Sequence, residues 1–366
     1  MRIAQISPLY ESVPPGLYGG TERVVSYLTE ALVQAGHQVT LFASGDSSTS
    51  ARLVPVRSRA LRLDPSPLNS SVSAHLAMLD EVRQRADEFD ILHFHTDLLH
   101  FPFFENLAHR TLTTLHGRLD MLDLSESFAR WRQFPLVSIS NAQRSPLPWA
   151  NWMHTVYHGL PANLYRPAAA PRGDYAVFLG RIAPEKRPDR AIEIARRAGM
   201  PLRIAAKVDA ADQAYFRACI QPLLQDEGVE YLGEVNDQEK AELLGNASAL
   251  LFPIDWPEPF GLVMIEALAC GTPVIGWRCG SVPEIIQEGS SGHIVDSVHA
   301  GTSALLKIAS LDRNRVRQEF DTRFTSIRMA DAYVSLYERL LARSVIRDSL
   351  PSLPASSHQL ADSAVS

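Results

Sequence analysis

Two carboxylates and two cations dominate the chemistry that this sequence can support. Glu258 and Glu266 lie eight positions apart in the run PEPFGLVMIEALACGTPVIGWRCGSVPE, residues 257–284. The pattern predicts a loop carrying Glu258 and a helix over 261–269, with Glu266 about two turns into it. The start of that helix, flanked by Pro259, Phe260, Gly261 and Leu262, offers unpaired N–H groups and the positive end of a helix dipole, which suits a diphosphate. A carboxylate further along can accept both hydroxyls of a ribose, and one just ahead of the helix can meet the hydroxyls of a sugar. Glutamates at this spacing also occur on ordinary amphipathic helices, so the flanking residues carry the argument. Pro-Phe-Gly leads in, Ala-Cys-Gly-Thr-Pro-Val leads out into a strand, and a turn at 280–284 follows.

The second run is FLGRIAPEKRP at 178–188. A strand ends at Leu179, Gly180 turns the chain, and Arg181 and Lys186 follow in the loop before the next helix. Two fixed cations at the carboxyl end of a strand can neutralise charge growing on a departing diphosphate. Gly19 and Gly20 sit in the first strand-to-helix loop, where glycines let backbone amides approach a phosphate or a hydroxyl. His116 ends the run TLTTLH before Gly117. His93 and His95 alternate on one strand and share a face, with Asp97, His100 and His116 nearby. That grouping invites a metal site, but strand-end histidines more often pack or hydrogen-bond, and His95 reads better as lining a cleft.

These residues need a scaffold that puts strand ends together. Apolar runs alternate with amphipathic helical stretches almost throughout. Strands are expected at 2–7, 38–43, 90–95, 111–115, 136–140 and 155–158. After a Pro- and Gly-containing linker at 161–173 the pattern restarts, with strands at 175–179, 202–206, 229–232, 249–252, 273–276 and 293–295. Helices are expected at 189–199, 211–225 and 237–245. Such alternation implies mostly parallel sheets covered on both faces, with ligands beyond the carboxyl ends of the strands. Met329, Tyr333, Leu336, Tyr337 and Leu340 form an apolar stripe on a late helix. The Ser-, Ala- and Pro-rich tail from Ser344 reads as disordered.

The 366 residues exceed what one hydrophobic core usually holds, so two domains are the natural division. A net charge of −6 gives no general reason to bind nucleic acid or an anionic membrane. Arg52, Arg57, Arg59 and Arg62 make a local basic stretch, read as a solvated loop, which leaves peripheral contact with lipid headgroups open. Three cysteines without paired spacing and an N-terminus without a leader-like apolar run imply a cytoplasmic protein, and no stretch is long and apolar enough to span a bilayer.

With these motifs the sequence resembles family 4 of the retaining glycosyltransferases, whose members share the GT-B fold, over nearly the whole ordered chain. The resemblance implies two Rossmann-like, doubly wound parallel-sheet domains of the α/β class facing a cleft. An acceptor-binding domain over 1–165 would be joined by a helix near 326–343 packing back on it. A nucleotide-sugar-binding domain would cover 174–325, with a tail over 344–366. The activity implied is transfer of a hexose, with retention, from a UDP- or GDP-sugar to a hydroxyl of a carbohydrate, lipid-linked or small-molecule acceptor. By the same resemblance Glu258 contacts the transferred sugar, Glu266 holds the ribose, Arg181 and Lys186 contact the phosphates, and His116 lies beside the sugar. Gly19, Gly20 and the loop residues Pro259–Leu262 would complete the donor site, with His95 and Asp97 toward the acceptor. His158 stands where the family often has asparagine, and no role is carried onto it. No Asp-x-Asp occurs, so neither a metal nor another cofactor is expected. A nucleotide-sugar epimerase and a non-catalytic nucleotide-sugar-binding subunit are the rival readings.

Overall fold

The computed structural model describes residues 1–17, 19–66 and 69–349, with the backbone alone for 344–349. Its thirteen described strands form two all-parallel sheets. The first runs β3-β2-β1-β4-β5-β6-β7, with β1 Arg2–Ile6, β2 Gln38–Ser44, β3 Arg52–Arg57, β4 Ile91–Phe94, β5 Thr111–Thr114, β6 Leu136–Ser138 and β7 Trp152–Thr155. The second runs β10-β9-β8-β11-β12-β13, with β8 Ala176–Arg181, β9 Leu202–Lys207, β10 Val229–Gly233, β11 Ala249–Phe252, β12 Val274–Trp277 and β13 Gly292–Val295. Central strands such as β4, β5 and β11 are buried along their whole length, which is why they read as short apolar runs.

Four expectations need correction. The basic stretch is not a plain loop: Arg52–Arg57 forms edge strand β3, which tolerates Pro55 because an edge leaves one N–H position free. Three of its four arginines are paired, Arg52 with Glu88, Arg57 with Asp64 and Arg62 with Glu11, while Arg59 is exposed. β7 ends at Thr155, where a strand was expected to begin, and His158 lies in the loop beyond. The helix expected over 211–225 is broken into short pieces, with a π turn at Phe216–Ile220 followed by a 3₁₀ turn containing Pro222, which has no N–H to continue the ladder. The last helix runs Ser326–Ser349, past the expected end at 343, so the first residues of the presumed tail are helical; residues 350–366 lie outside the described residues.

That helix belongs to the first sheet's domain. Met329, Tyr333, Leu336, Tyr337 and Leu340 are all buried, and it packs on the Gly20–Gln34 helix. The chain therefore crosses between the domains twice. The outward crossing is held by Arg317, whose guanidinium donates to the carbonyls of Ala162 and Tyr165 at 2.8 and 2.7 Å. The return crossing pairs with it through a parallel bridge between Leu160 and Thr325.

Candidate active site

The carboxyl ends of both sheets open on one cleft of about 590 Å³. Gly19, Gly20, His95, Asp97, His116, Arg181, Lys186, Glu258, Pro259, Phe260, Gly261, Leu262 and Glu266 all line it, so the residues singled out from the sequence converge in space.

Glu266 lies on the Leu262–Ala269 helix with 3% of its surface exposed. A carboxylate this buried requires compensation. Lys240 Nζ lies 2.9 Å from Oε1, and the Tyr165 hydroxyl, which donates to Asp237 at 3.0 Å, lies 3.4 Å from the same oxygen. Lys240 also reaches Asp237 at 3.3 Å, and Asp237 meets Arg23, from the opposite domain, at 2.5 Å. Burial alone would raise the Asp237 carboxyl, but Arg23 and Lys240 hold it below its ordinary value. The sequence pointed to Glu266 but not to this network, because Arg23, Tyr165 and Lys240 lie far from Glu266 along the chain.

Glu258 is clasped from several sides. Lys186 Nζ pairs with its carboxylate, Trp256 Nε1 donates to it at 2.8 Å, and Lys186 also sits 4.6 Å from the centre of the Trp256 ring. Gly280 presses on the Glu258 backbone so closely that a Cβ there would lie 2.4 Å from the Glu258 nitrogen, at φ 53°. The Gly280–Glu284 turn therefore shapes the Glu258 loop. Arg181, the last residue of β8, is not an open cation: Glu185, Asp209 and Asp212 lie 2.9, 3.3 and 3.2 Å away. Both basic groups thus stand paired with carboxylates. The Leu262–Ala269 helix begins at the same wall, and a Cβ on Gly20 would lie only 3.7 Å from Leu262 Cδ1, which puts the first domain's glycine loop opposite that helix start.

On the first domain's side the histidines form a buried layer. Gln5 pairs in register with His93, and period-two alternation puts Gln5, His93, His95, Thr114 and His116 on one face. His95 Nδ1 and His116 Nε2 are 2.9 Å apart, and His95 Nε2 lies 2.8 Å from Gln5 Oε1. Burial pushes the His116 imidazole down to about 3, and holds His93, His95 and His158 well below the ordinary histidine range. His158 stacks on His116 with ring centres 5.2 Å apart, and packs edge-on against Phe260 across the cleft. It is thus part of the wall, although no role was expected for it from the sequence. His100 is not part of this layer: it stacks on Phe94 and bonds to Thr113, on the other face of the sheet. Asp97 stands past the end of β4 at φ 49°, a strained conformation for a non-glycine residue and one that often marks function. Among the described residues no group of three histidines, cysteines or carboxylates is placed to hold a metal ion.

The two domains also meet in direct hydrogen bonds. Ser140 Oγ donates to the Pro259 carbonyl at 2.7 Å. The Glu284 carboxylate accepts from the backbone N–H groups of Asn141 and Ala142 and from the Tyr157 hydroxyl, at 2.7, 2.7 and 3.1 Å. No helix among the described residues is long and apolar enough to cross a membrane.

Known proteins match both halves. A family model described as "Glycosyl transferases group 1" covers residues 166–324, and one described as "Glycosyltransferase Family 4" covers 18–167. An N-acetyl-alpha-D-glucosaminyl L-malate synthase from Bacillus anthracis is 25% identical over 88% of this chain and 94% of its own. A phosphatidyl-myo-inositol mannosyltransferase from Mycobacterium leprae is 27% identical over 87% and 89%. The Anabaena protein HepE, solved in complex with UDP, shares the fold with a TM-score of 0.72 at 17% identity, covering 93% of this chain and all of that one.

Proposed function

The chain belongs to the family 4, group 1 glycosyltransferases of GT-B fold, and from that premise we propose that it transfers a hexose from a UDP- or GDP-sugar to an acceptor hydroxyl, with retention and without a metal ion. One observation carries this reading. A helix N-terminus, two cations and two glutamates from one domain face a layer of neutral histidines from the other across a single cleft.

In the proposed reaction the diphosphate lies against the start of the Leu262–Ala269 helix. Glu266 accepts the ribose hydroxyls. Lys186 leaves Glu258 for the phosphates, and the released Glu258 carboxylate accepts hydroxyls of the sugar. The bond from the sugar's anomeric carbon to the diphosphate oxygen breaks while Lys186 and Arg181 take up the growing negative charge. The acceptor oxygen bonds to the same face of that carbon, and its proton passes to a phosphate oxygen of the leaving group. His116 lies beside the sugar, with His95 behind it and Asp97 toward the acceptor. The UDP bound by the Anabaena protein of the same fold supports a nucleotide donor.

Melting temperature with UDP- and GDP-sugars, followed by turnover in EDTA, tests the proposal. A rise in melting temperature with one nucleotide class and activity that survives EDTA are expected. Complete loss in EDTA, restored by manganese or magnesium, would show the electrostatic account to be wrong.

A further inference from the structure

The hydrogen-bond chain behind His116 does not stop at His95. Gln5 accepts from His95 through Oε1 and donates through Nε2 to the Tyr337 hydroxyl at 3.2 Å. Tyr337 in turn lies 2.7 Å from His93 Nδ1, His93 Nε2 lies 2.8 Å from Thr114 Oγ1, and Thr114 lies 2.8 Å from the Tyr333 hydroxyl. Three strand residues, Gln5, His93 and Thr114, and two histidines just past strand ends, His95 and His116, are thus tied to two phenols of the last helix.

The direction of the donors follows from Gln5, because an amide has one oxygen that only accepts and one nitrogen that only donates. Facing Oε1, His95 must carry its proton on Nε2, so its Nδ1 accepts. His116 must then donate through Nε2, and its own Nδ1 is left as a lone pair. Among the described residues that nitrogen has no hydrogen-bond partner, and His116 lines the cleft. We propose that Gln5 is a positioning residue, which locks His116 in the Nε2–H tautomer and so makes its Nδ1 an acceptor for a hydroxyl or amine hydrogen of the transferred sugar. Turning the amide over would reverse every donor in the row and present the sugar with an N–H instead. The tautomer lock is a property of the free protein. Its effect on turnover rests on the reading of His116 as a neighbour of the sugar.

Nitrogen-15 NMR of histidine-labelled protein at pH 7.5 tests the lock directly. His95 and His116 are expected to carry their protons on Nε2, and a proton on His116 Nδ1 would overturn the proposal. Gln5→Met removes the acceptor and should leave His116 a mixture of tautomers, with kcat down about tenfold, the worth of one neutral hydrogen bond, and nucleotide affinity unchanged. Gln5→Glu keeps an oxygen toward His95 and should restore the single tautomer and most of kcat. A single Nε2–H tautomer persisting in Gln5→Met would refute the lock. A lost tautomer with unchanged kcat would uphold the lock and remove His116 from the sugar. The wild-type spectrum needs no variant, so it decides even where Gln5→Met fails to fold.

Discussion

Acidification from pH 7.5 to 5.5 should destabilise the first domain through its buried histidines, offset in part by Glu22 and Asp97, whose carboxyls burial pushes upward. His93, His95, His100 and His158 are at most 3% exposed and held well below the ordinary imidazole value by burial, and His116 is pushed down to about 3. In the unfolded chain each titrates near pH 6.5. The folded state therefore binds fewer protons than the unfolded one across this window. Stability is complete above about pH 7 and falls as the pH drops, until the folded imidazoles themselves titrate. One unit below the unfolded value each histidine costs about 1.4 kcal/mol. The five named residues together cost several kcal/mol, comparable with the roughly 5–15 kcal/mol that holds a domain folded. Asp90, Asp189 and Asp237 are held low and do not titrate in this range. Urea midpoints at pH 7.5, 6.5 and 5.5 should fall steeply, and His100→Gln, remote from the cleft layer, should flatten the slope by about one proton. Equal midpoints at the three pH values would refute the reasoning.

Glu266→Gln removes a charged acceptor for the ribose but leaves Lys240 its partner Asp237, so folding should survive while donor affinity, read by calorimetry, falls roughly tenfold or more. Lys186→Met should cost mainly kcat, by about a hundredfold, since the contact to phosphate strengthens as the bond breaks; an equal loss in nucleotide affinity would contradict this. Gly280→Ala inserts a Cβ against the Glu258 backbone and should lower kcat about tenfold or more through a displaced Glu258, with the nucleotide still bound. Initial rates alongside calorimetry separate the two effects.

Much of the site was legible because its residues come in local runs. Glu258 and Glu266 flank one helix start, and Arg181 and Lys186 share one loop, so spacing together with the flanking Pro-Phe-Gly and Gly-Arg residues proposes their joint use. The two-sheet architecture was legible because buried parallel strands are short apolar runs. What escaped is what depends on distant partners. Gln5 and Tyr337 meet across 332 positions, and Arg23 and Asp237 across 214. No periodicity announces such pairs. A partial signal existed: polar residues at alternate positions of the apolar runs ILHFH and TLTTLH, and two tyrosines within an otherwise apolar helical stripe. Edge strand β3 escaped because half-exposed residues and Pro55 blur its pattern, and β7 was displaced because it is a short edge strand carrying the exposed His154.

Because the chain leaves the first domain near Leu160 and returns at Thr325, the second domain is an insertion within the first. On the ribosome this inverts the usual order, in which the N-terminal unit finishes first. The first sheet emerges with Gln5, His93 and Thr114 facing a surface whose cover, Tyr333 and Tyr337, is about two hundred residues from being made. The intervening domain can complete its own sheet in that interval. Synthesis then ends by delivering the last helix onto the waiting face, so the part of the chain translated first is the last to reach its final packing.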